Sequence, residues 1–195
     1  MKRSYTIFIF AMFILIVGAC SNSNGTEKDQ NEGTAVETTV ANEETPLTAH
    51  ATMINTQGEK VGTAKLEQVD DGVMIFIEAS GLTPGLHGFH VHEKGKCDPP
   101  DFESAGGHFN PTNKEHGFDN PKGPHAGDLP NIEADEEGYV RAEVLANMVT
   151  LEKGKKNSLF KKGGTTLMIH SQLDDYKSQP AGNSGDRVSC GVIEK

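Results

Sequence analysis

Seven of the eight histidines fall between His87 and His170, at spacings that suit metal chemistry. His90 and His92 alternate with Phe89 and Val91. On a strand both imidazoles then leave the same face, as chelation of a single ion requires. His170 closes another strand-like run, Thr165 to His170. His108, His116, His125 and Asp128 follow one another as H-x7-H-x8-H-x2-D in a segment with no hydrophobic period. Three imidazoles and a carboxylate form a closed tetrahedral set that suits zinc, whereas an imidazole-only set suits copper. One His-x-His alone is a weak signal. The whole constellation, set in a loop that has little else to stabilise it, is a strong one.

Strands must position these groups. Ala51–Thr56, Val61–Val69 and Val73–Ser80 come close together, separated by the turn-rich QGEK and DDG, as in a meander of hairpins. Val73, Ile75, Ile77 and Ala79 share one strand face, and Met74 and Phe76 make the other side apolar as well. Strands resume at Tyr139–Leu145, Thr165–His170 and Val188–Ile193. Two long irregular stretches, 93–137 and 171–187, lie between strands, and loops of that length in a compact domain are usually functional. The 22 glycines and nine prolines, with no Trp, also favour a turn-rich β protein. An antiparallel sandwich or barrel carrying two ordered loops is the fold expected. The formal net charge of −10 disfavours phosphate backbones, and with no local basic stripe evident in the sequence, nucleic-acid binding is set aside.

The N-terminus points to a compartment. Lys2 and Arg3 precede a run without charge from Ile7 to Ala19, too short to span a ~30 Å hydrocarbon core comfortably but suited to a signal peptide. The run ends in Val17-Gly18-Ala19-Cys20, which resembles a bacterial lipobox, so residues 1–19 are expected to be a lipoprotein signal peptide and Cys20 the lipidated residue. A signal peptide cleaved beside an incidental Cys, or an uncleaved anchor, is the alternative. Residues 20–48 then form an acidic tether with almost no large apolar residue, and the folded domain is 49–195. His50, at the far end of the tether, is expected to be exposed and uninvolved. With Cys20 lipidated, Cys97 and Cys190 remain in an extracytoplasmic chain, as one bridge or as two free thiols.

At the metal residues a resemblance becomes specific. GFHVHEKG (Gly88–Gly95), AGGHFNP (Ala105–Pro111), KEHGF (Lys114–Phe118), HAGDLPN (His125–Asn131), IHSQLDD (Ile169–Asp175) and GNSGDRVSCGVI (Gly182–Ile193) resemble the copper–zinc superoxide dismutase family, in the family's order. The resemblance implies an all-β, eight-stranded Greek-key β-barrel whose two long loops hold the metals outside it. It assigns His90, His92, His108 and His170 to copper and His108, His116, His125 and Asp128 to zinc, with one copper and one zinc per subunit and His108 shared. Asp174 matches a carboxylate that links His90 to His116. Arg187 matches the arginine that guides the superoxide anion, and His108 the group that carries a proton. Cys97 and Cys190 match the family's disulfide, and His87 a structural histidine.

The implied activity is antioxidant: dismutation of superoxide to dioxygen and peroxide by a His-bound copper, anchored to a bacterial membrane through Cys20. Monomer and homodimer both stay open. A metal-storing surface lipoprotein is the rival function, since it needs the same ligands but not Arg187. Three features depart from the family's pattern. Cys97 is placed five residues after His92 and eleven before His108. Asp174, Asp175 and Asp186 face only Lys177 in the loop before Arg187, which weakens steering. Some family members have also lost ligands and activity, whereas every ligand is retained here.

Overall fold

The computed structural model describes residues 46–195, so the signal-peptide run, Cys20 and the acidic tether up to residue 45 lie outside the described residues. Three long strands open the fold: β1 (Thr48–Asn55), β2 (Lys60–Val69) and β3 (Gly72–Ala79). Their alternation is the cause of their packing. Ala49, Ala51 and Met53 of β1, Ala64 and Leu66 of β2, and Val73, Ile75, Ile77 and Ala79 of β3 are buried in one core. Met74 and Phe76, on the other face of β3, are only half-buried.

Two short strands, β4 (Gly85–His87) and β5 (Phe89–His92), follow with a break at Gly88. After the first long loop come β6 (Ile132–Ala134) and β7 (Val140–Ala146), and after further loops β8 (Thr166–His170) and β9 (Arg187–Val192). Seven strands form one antiparallel sheet in the order β5-β8-β9-β1-β2-β3-β7, and β4 pairs with β6. With β4 and β5 counted as one interrupted strand, the described residues form eight strands, as the resemblance implies. The neighbour of β3 is β7 rather than β4, which is the crossing that makes a Greek key. A tight turn in which Asp135 N–H donates to Tyr139 O (2.9 Å) joins β6 to β7.

The sequence reading missed β4 and β6. Each is three residues long, too short for alternation to register. The first long loop therefore ends at Asn131 rather than Glu137. Outside the barrel, Phe102, Ala105, Met168 and Cys190 form a second small core, and a Cys97–Cys190 disulfide (S–S 2.04 Å) ties the first loop to β9 beside it. Among the described residues no helix is long and apolar enough to cross a membrane. His50 is exposed on β1.

Candidate metal centre

Strand β5 supplies His90 and His92, and β8 ends at His170 on the neighbouring strand. The first long loop is laid against β5 by backbone bonds. Phe109 N–H donates to Val91 O, Val91 N–H to Gly127 O and Gly127 N–H to Phe109 O, each at 2.8 Å. These bonds place His108 opposite His92 and Asp128 opposite His90. Only glycine fits at 127, because a Cβ there would lie 2.3 Å from the Val91 carbonyl oxygen.

Two groups of ligand atoms result, His90/His92/His108/His170 and His108/His116/His125/Asp128, each with its atoms within 4.8 Å of one another. The hydrogen bonds show how the rings are aimed. His90 Nε2 is 2.8 Å from Asp174 Oδ2, His92 Nδ1 is 2.9 Å from Gly106 O, and His170 Nδ1 is 3.3 Å from Gly185 O. Each of these nitrogens donates to an oxygen, so the other nitrogen of the ring keeps its lone pair. Those others, His90 Nδ1, His92 Nε2 and His170 Nε2, are buried without a partner, as is His108 Nε2. Orphaned buried nitrogens are costly in a native fold and ask for an explanation. Four of them converging from imidazoles alone fit copper.

In the second group, Asp128 Oδ1 lies 2.8 Å from His108 Nδ1 and 3.1 Å from both His116 Nδ1 and His125 Nδ1. His116 Nδ1 is close to that oxygen but aimed off it, and makes no hydrogen bond. A tetrahedral ion ~2.0–2.1 Å from each ligand would set its ligands about 3.3 Å apart, close to these separations. Oδ2 of Asp128 meanwhile accepts Gly117 N–H and His125 N–H, both at 2.9 Å. The donor set and its spacing fit zinc.

Asp174 joins the two groups. Its Oδ2 faces His90 and its Oδ1 is 3.0 Å from His116 Nε2. Because Asp174 is buried between these rings, its charge does not belong to the exposed field that Asp175 and Asp186 create. Three residues not singled out in the sequence hold this arrangement. Asn131 clasps the Asp174 backbone in both directions, accepting its N–H at 2.8 Å and donating to its carbonyl at 2.9 Å. Tyr176 OH accepts Asn131 N–H at 2.7 Å. Gln179 Oε1 accepts His116 N–H at 3.0 Å, while its amide donates to His116 O at 2.9 Å. Asn131 lies inside the quoted HAGDLPN motif, whereas nothing local marks Gln179. Gly182 is also required, since a Cβ there would be 1.8 Å from Asp174 Oδ1. His87 sits outside the ligand groups, between the carbonyls of His170 (2.6 Å) and Thr83 (2.7 Å).

Burial dominates the electrostatics. It lowers His90 and His92, and pushes His108 and His170 down to about 3, so the copper group is held as neutral, ligand-ready imidazole at neutral pH. His116 also feels burial, but the carboxylates of Asp128 and Asp174 outweigh it and raise the ring to about 9. Both carboxylates are burdened by burial yet end well below the usual range, because the histidines hydrogen-bond to them. The metal-free protein should therefore weaken on acidification. Below about pH 6.5 the unfolded chain takes up protons at His108 and His170 that the folded chain refuses until about pH 3. His116 gives no offsetting gain there, because its contribution is already complete below 6.5 and is lost only as pH rises towards 9. The urea midpoint of the metal-free form should fall steadily from pH 6.5 to 4; a flat profile would contradict these burial effects.

A depression of about 540 Å³ opens over the copper group, lined among others by His92, His108, His170 and Arg187. Arg187 begins β9 and donates to Phe102 O (2.7 Å) and Gly106 O (2.8 Å), rather than pairing with Asp186. Gly106 O also fixes His92, so one carbonyl sets both the cation and a copper-group imidazole.

Residues 60–193 match the family described as copper/zinc superoxide dismutase. Copper–zinc superoxide dismutase 1 of Aquifex aeolicus is 60% identical over 149 residues, covering 76% of this chain and 88% of the relative. A superoxide dismutase-like protein of Bacillus subtilis is 49% identical over 146 residues, 74% of each chain. The crystal structure of a superoxide dismutase-like protein from Bacillus subtilis superposes with a TM-score of 0.72 at 48% identity, over 73% of this chain and 96% of that one. The copper/zinc superoxide dismutase of Brucella abortus gives 0.63 at 33% identity, over 76% of this chain and the whole of that one. With an imidazole-only group and a three-histidine, one-aspartate group sharing His108 on a Greek-key barrel, and with this extent of match, the chain belongs to the copper/zinc superoxide dismutase family.

Proposed function

We propose that His90, His92, His108 and His170 hold copper, that His108, His116, His125 and Asp128 hold zinc, and that the chain dismutes superoxide, two superoxide anions and two protons giving dioxygen and hydrogen peroxide. The observation that carries this is the set of five buried imidazole nitrogens left without partners and aimed into the two ligand groups. Copper, when bound, supplies the one-electron exchange that oxidises one superoxide and reduces the next; zinc has no accessible redox state.

The residues of the chain do the rest. Arg187 offers a fixed cation at the wall of the depression, where an anion can be drawn in and oriented. Its guanidinium is pinned by two backbone carbonyls, so little ordering is left for the moment of binding. His108 is the ring common to both ligand groups, and its Nε2 is the atom where a proton can be held for delivery to the reduced product. Asp174 fixes the orientations of His90 and His116, and Asp128 fastens the loop.

Arg187 also separates an enzyme from a metal store, which would need the same ligands but no cation in the depression. Arg187→Ala should leave copper and zinc content unchanged while lowering kcat/KM about tenfold, within the ~10–10³ range over which local fields raise anion on-rates. Arg187→Glu should lower it further. Wild-type kcat/KM in Arg187→Glu at equal copper loading would refute the anion-guiding role of Arg187, and no dismutation by the copper-loaded wild type would favour storage.

The same proposal extends to location. The disulfide fits an oxidising, extracytoplasmic compartment, and the lipobox-like Val17–Cys20 supports a lipid anchor on Cys20 after a signal peptide of residues 1–19. Residues 20–48 would then tether a catalytic domain of 49–195. Cys20→Ser should shift the protein from the membrane fraction to the medium or to an uncleaved precursor. Wild-type protein found free of lipid in the medium would count against the anchor.

A further inference from the structure

Seven lysines of this acidic chain are gathered at one end of the barrel. Residues 148–164, between β7 and β8, read MVTLEKGKKNSLFKKGG, with Lys153, Lys155, Lys156, Lys161 and Lys162 against the single acid Glu152. Strand register sets where they lie. Thr48 pairs with Glu67, Val73 with Ala146, and His92 with Thr166 beside Val192. The start of β1, the β2–β3 turn, the end of β5, the loop 147–165 and the C-terminus therefore share one end. Lys94 and Lys96 join the cluster there. Gly95 N–H donates to Gly163 O at 2.7 Å, and Lys161 Nζ donates to Glu93 O at 2.6 Å. Five of these seven lysines stand within the ten residues 153–162, a local basic run that the sequence reading passed over; only Lys94 and Lys96 are added by the fold.

The loop is a firm platform. Leu151 and Leu159 are buried in the main core, Leu159 N–H donates to Thr150 O at 2.8 Å, and Gln68 Oε1 accepts both Thr150 Oγ1–H and Leu151 N–H at 2.7 Å. Lys94, Lys96, Lys153, Lys155, Lys156 and Lys162 are exposed on it. The acids at the same end are Glu67, Asp70, Asp71, Glu93, Glu152 and Glu194. Glu67 is paired with Lys65, and Glu152 lies 3.5 Å from Lys155. The preceding chain also arrives here: Gln68 N–H donates to Leu47 O at 2.8 Å, next to the first residue of β1.

We infer that this lysine-bearing end docks on the anionic headgroups of a phospholipid membrane. The inference rests on the proposed lipid anchor in one respect: an anchored Cys20 would be joined covalently to the barrel through Leu47 and Thr48, which lie at this end. A lipid chain and a basic patch are separate contributions to membrane affinity, and exposed lysines near an anionic surface act together within a Debye length. The rest of the domain is acidic and would face away.

Docking is measured without the Cys20 anchor, so that it can fail while the anchor stands, or stand while the anchor fails. The chain from Ser21 to Lys195 is sedimented with vesicles of phosphatidylglycerol or of phosphatidylcholine, at roughly 20 mM and 500 mM salt. It should bind the anionic vesicles at low salt only and ignore the neutral ones. Lys153→Gln, Lys155→Gln, Lys156→Gln and Lys162→Gln combined should weaken binding at least tenfold with thermal unfolding unchanged. A control at Lys60, Lys114 and Lys177 should bind as wild type. Equal binding to phosphatidylcholine, or full binding by the four-lysine variant, overturns the inference. So does binding that appears only when residues 21–45 are removed, because the acidic segment would then be the occupant of the lysines.

Discussion

His170→Ala should abolish dismutation while leaving zinc in place. Of the four imidazoles assigned to copper, His170 is the one that arrives from β8; the others come from β5 and the first loop. It takes no part in the Asp128 and Asp174 networks, and its remaining hydrogen bond is the long one to Gly185 O at 3.3 Å. Removing the ring therefore deletes a donor from the redox metal without loosening the loop that carries His108, His116, His125 and Asp128. Outer partners of metal ligands typically cost 10–100-fold when lost, so deleting a ligand should cost more than about a hundredfold in kcat/KM. Metal analysis should find zinc near one per chain and copper reduced, and the zinc-dependent part of the thermal stability should survive. Full activity in His170→Ala, or equal loss of both metals, would sink the assignment.

The strands that position the site were legible in proportion to their length. β1, β2, β3 and β7 run seven to ten residues with alternating burial, and a period of two shows over that distance. β4 and β6, at three residues each, exist because they pair with one another, and that is a tertiary fact. The two groups of candidate ligands were legible because metal spacing is a property of chemistry as much as of fold: His-x-His on a strand, and a His-rich loop with a terminal Asp. Their supports were not. Gln179 reaches His116 across 63 positions, and Asn131 reaches Asp174 across 43. Neither contact leaves a local pattern. The lysine-bearing end was open to the sequence in its larger part, the run 153–162, which was passed over; Lys94 and Lys96 join it only because the pairing of β5 with β8 brings Gly95 to Gly163. Reading Asp174 as part of a surface acidic field failed because burial is invisible in composition; its charge is spent on His90 and His116.

Asp128→Ala should have the largest effect on stability, and the hydrogen bonds explain why. One oxygen of this buried carboxylate faces the Nδ1 atoms of His108, His116 and His125, and the other accepts the backbone N–H groups of Gly117 and His125. Alanine removes the only carboxylate of the proposed zinc set and orphans the two backbone donors at once. A buried donor left unpaired costs ~1–3 kcal/mol, so the two together cost a few kcal/mol before any metal is considered. At ~2–4 °C per kcal/mol for a domain of this size, Tm should fall on the order of 10 °C in the metal-free protein. Because a ligand that binds only the folded state stabilises it by mass action, added zinc should raise Tm in the wild type and fail to do so in the variant. Activity should drop as well, since His108 and Asp128 are held against β5 by the same loop and loosening it misplaces a copper-group imidazole. Asp128→Asn sharpens the test. Its side-chain oxygen can still accept Gly117 N–H and His125 N–H, while the amide presents a poor ligand to the zinc set. Asn should therefore recover much of the metal-free Tm and none of the zinc response. If Asp128→Ala binds zinc and gains stability from it as the wild type does, the carboxylate is a loop fastener alone and the tetrahedral zinc assignment fails.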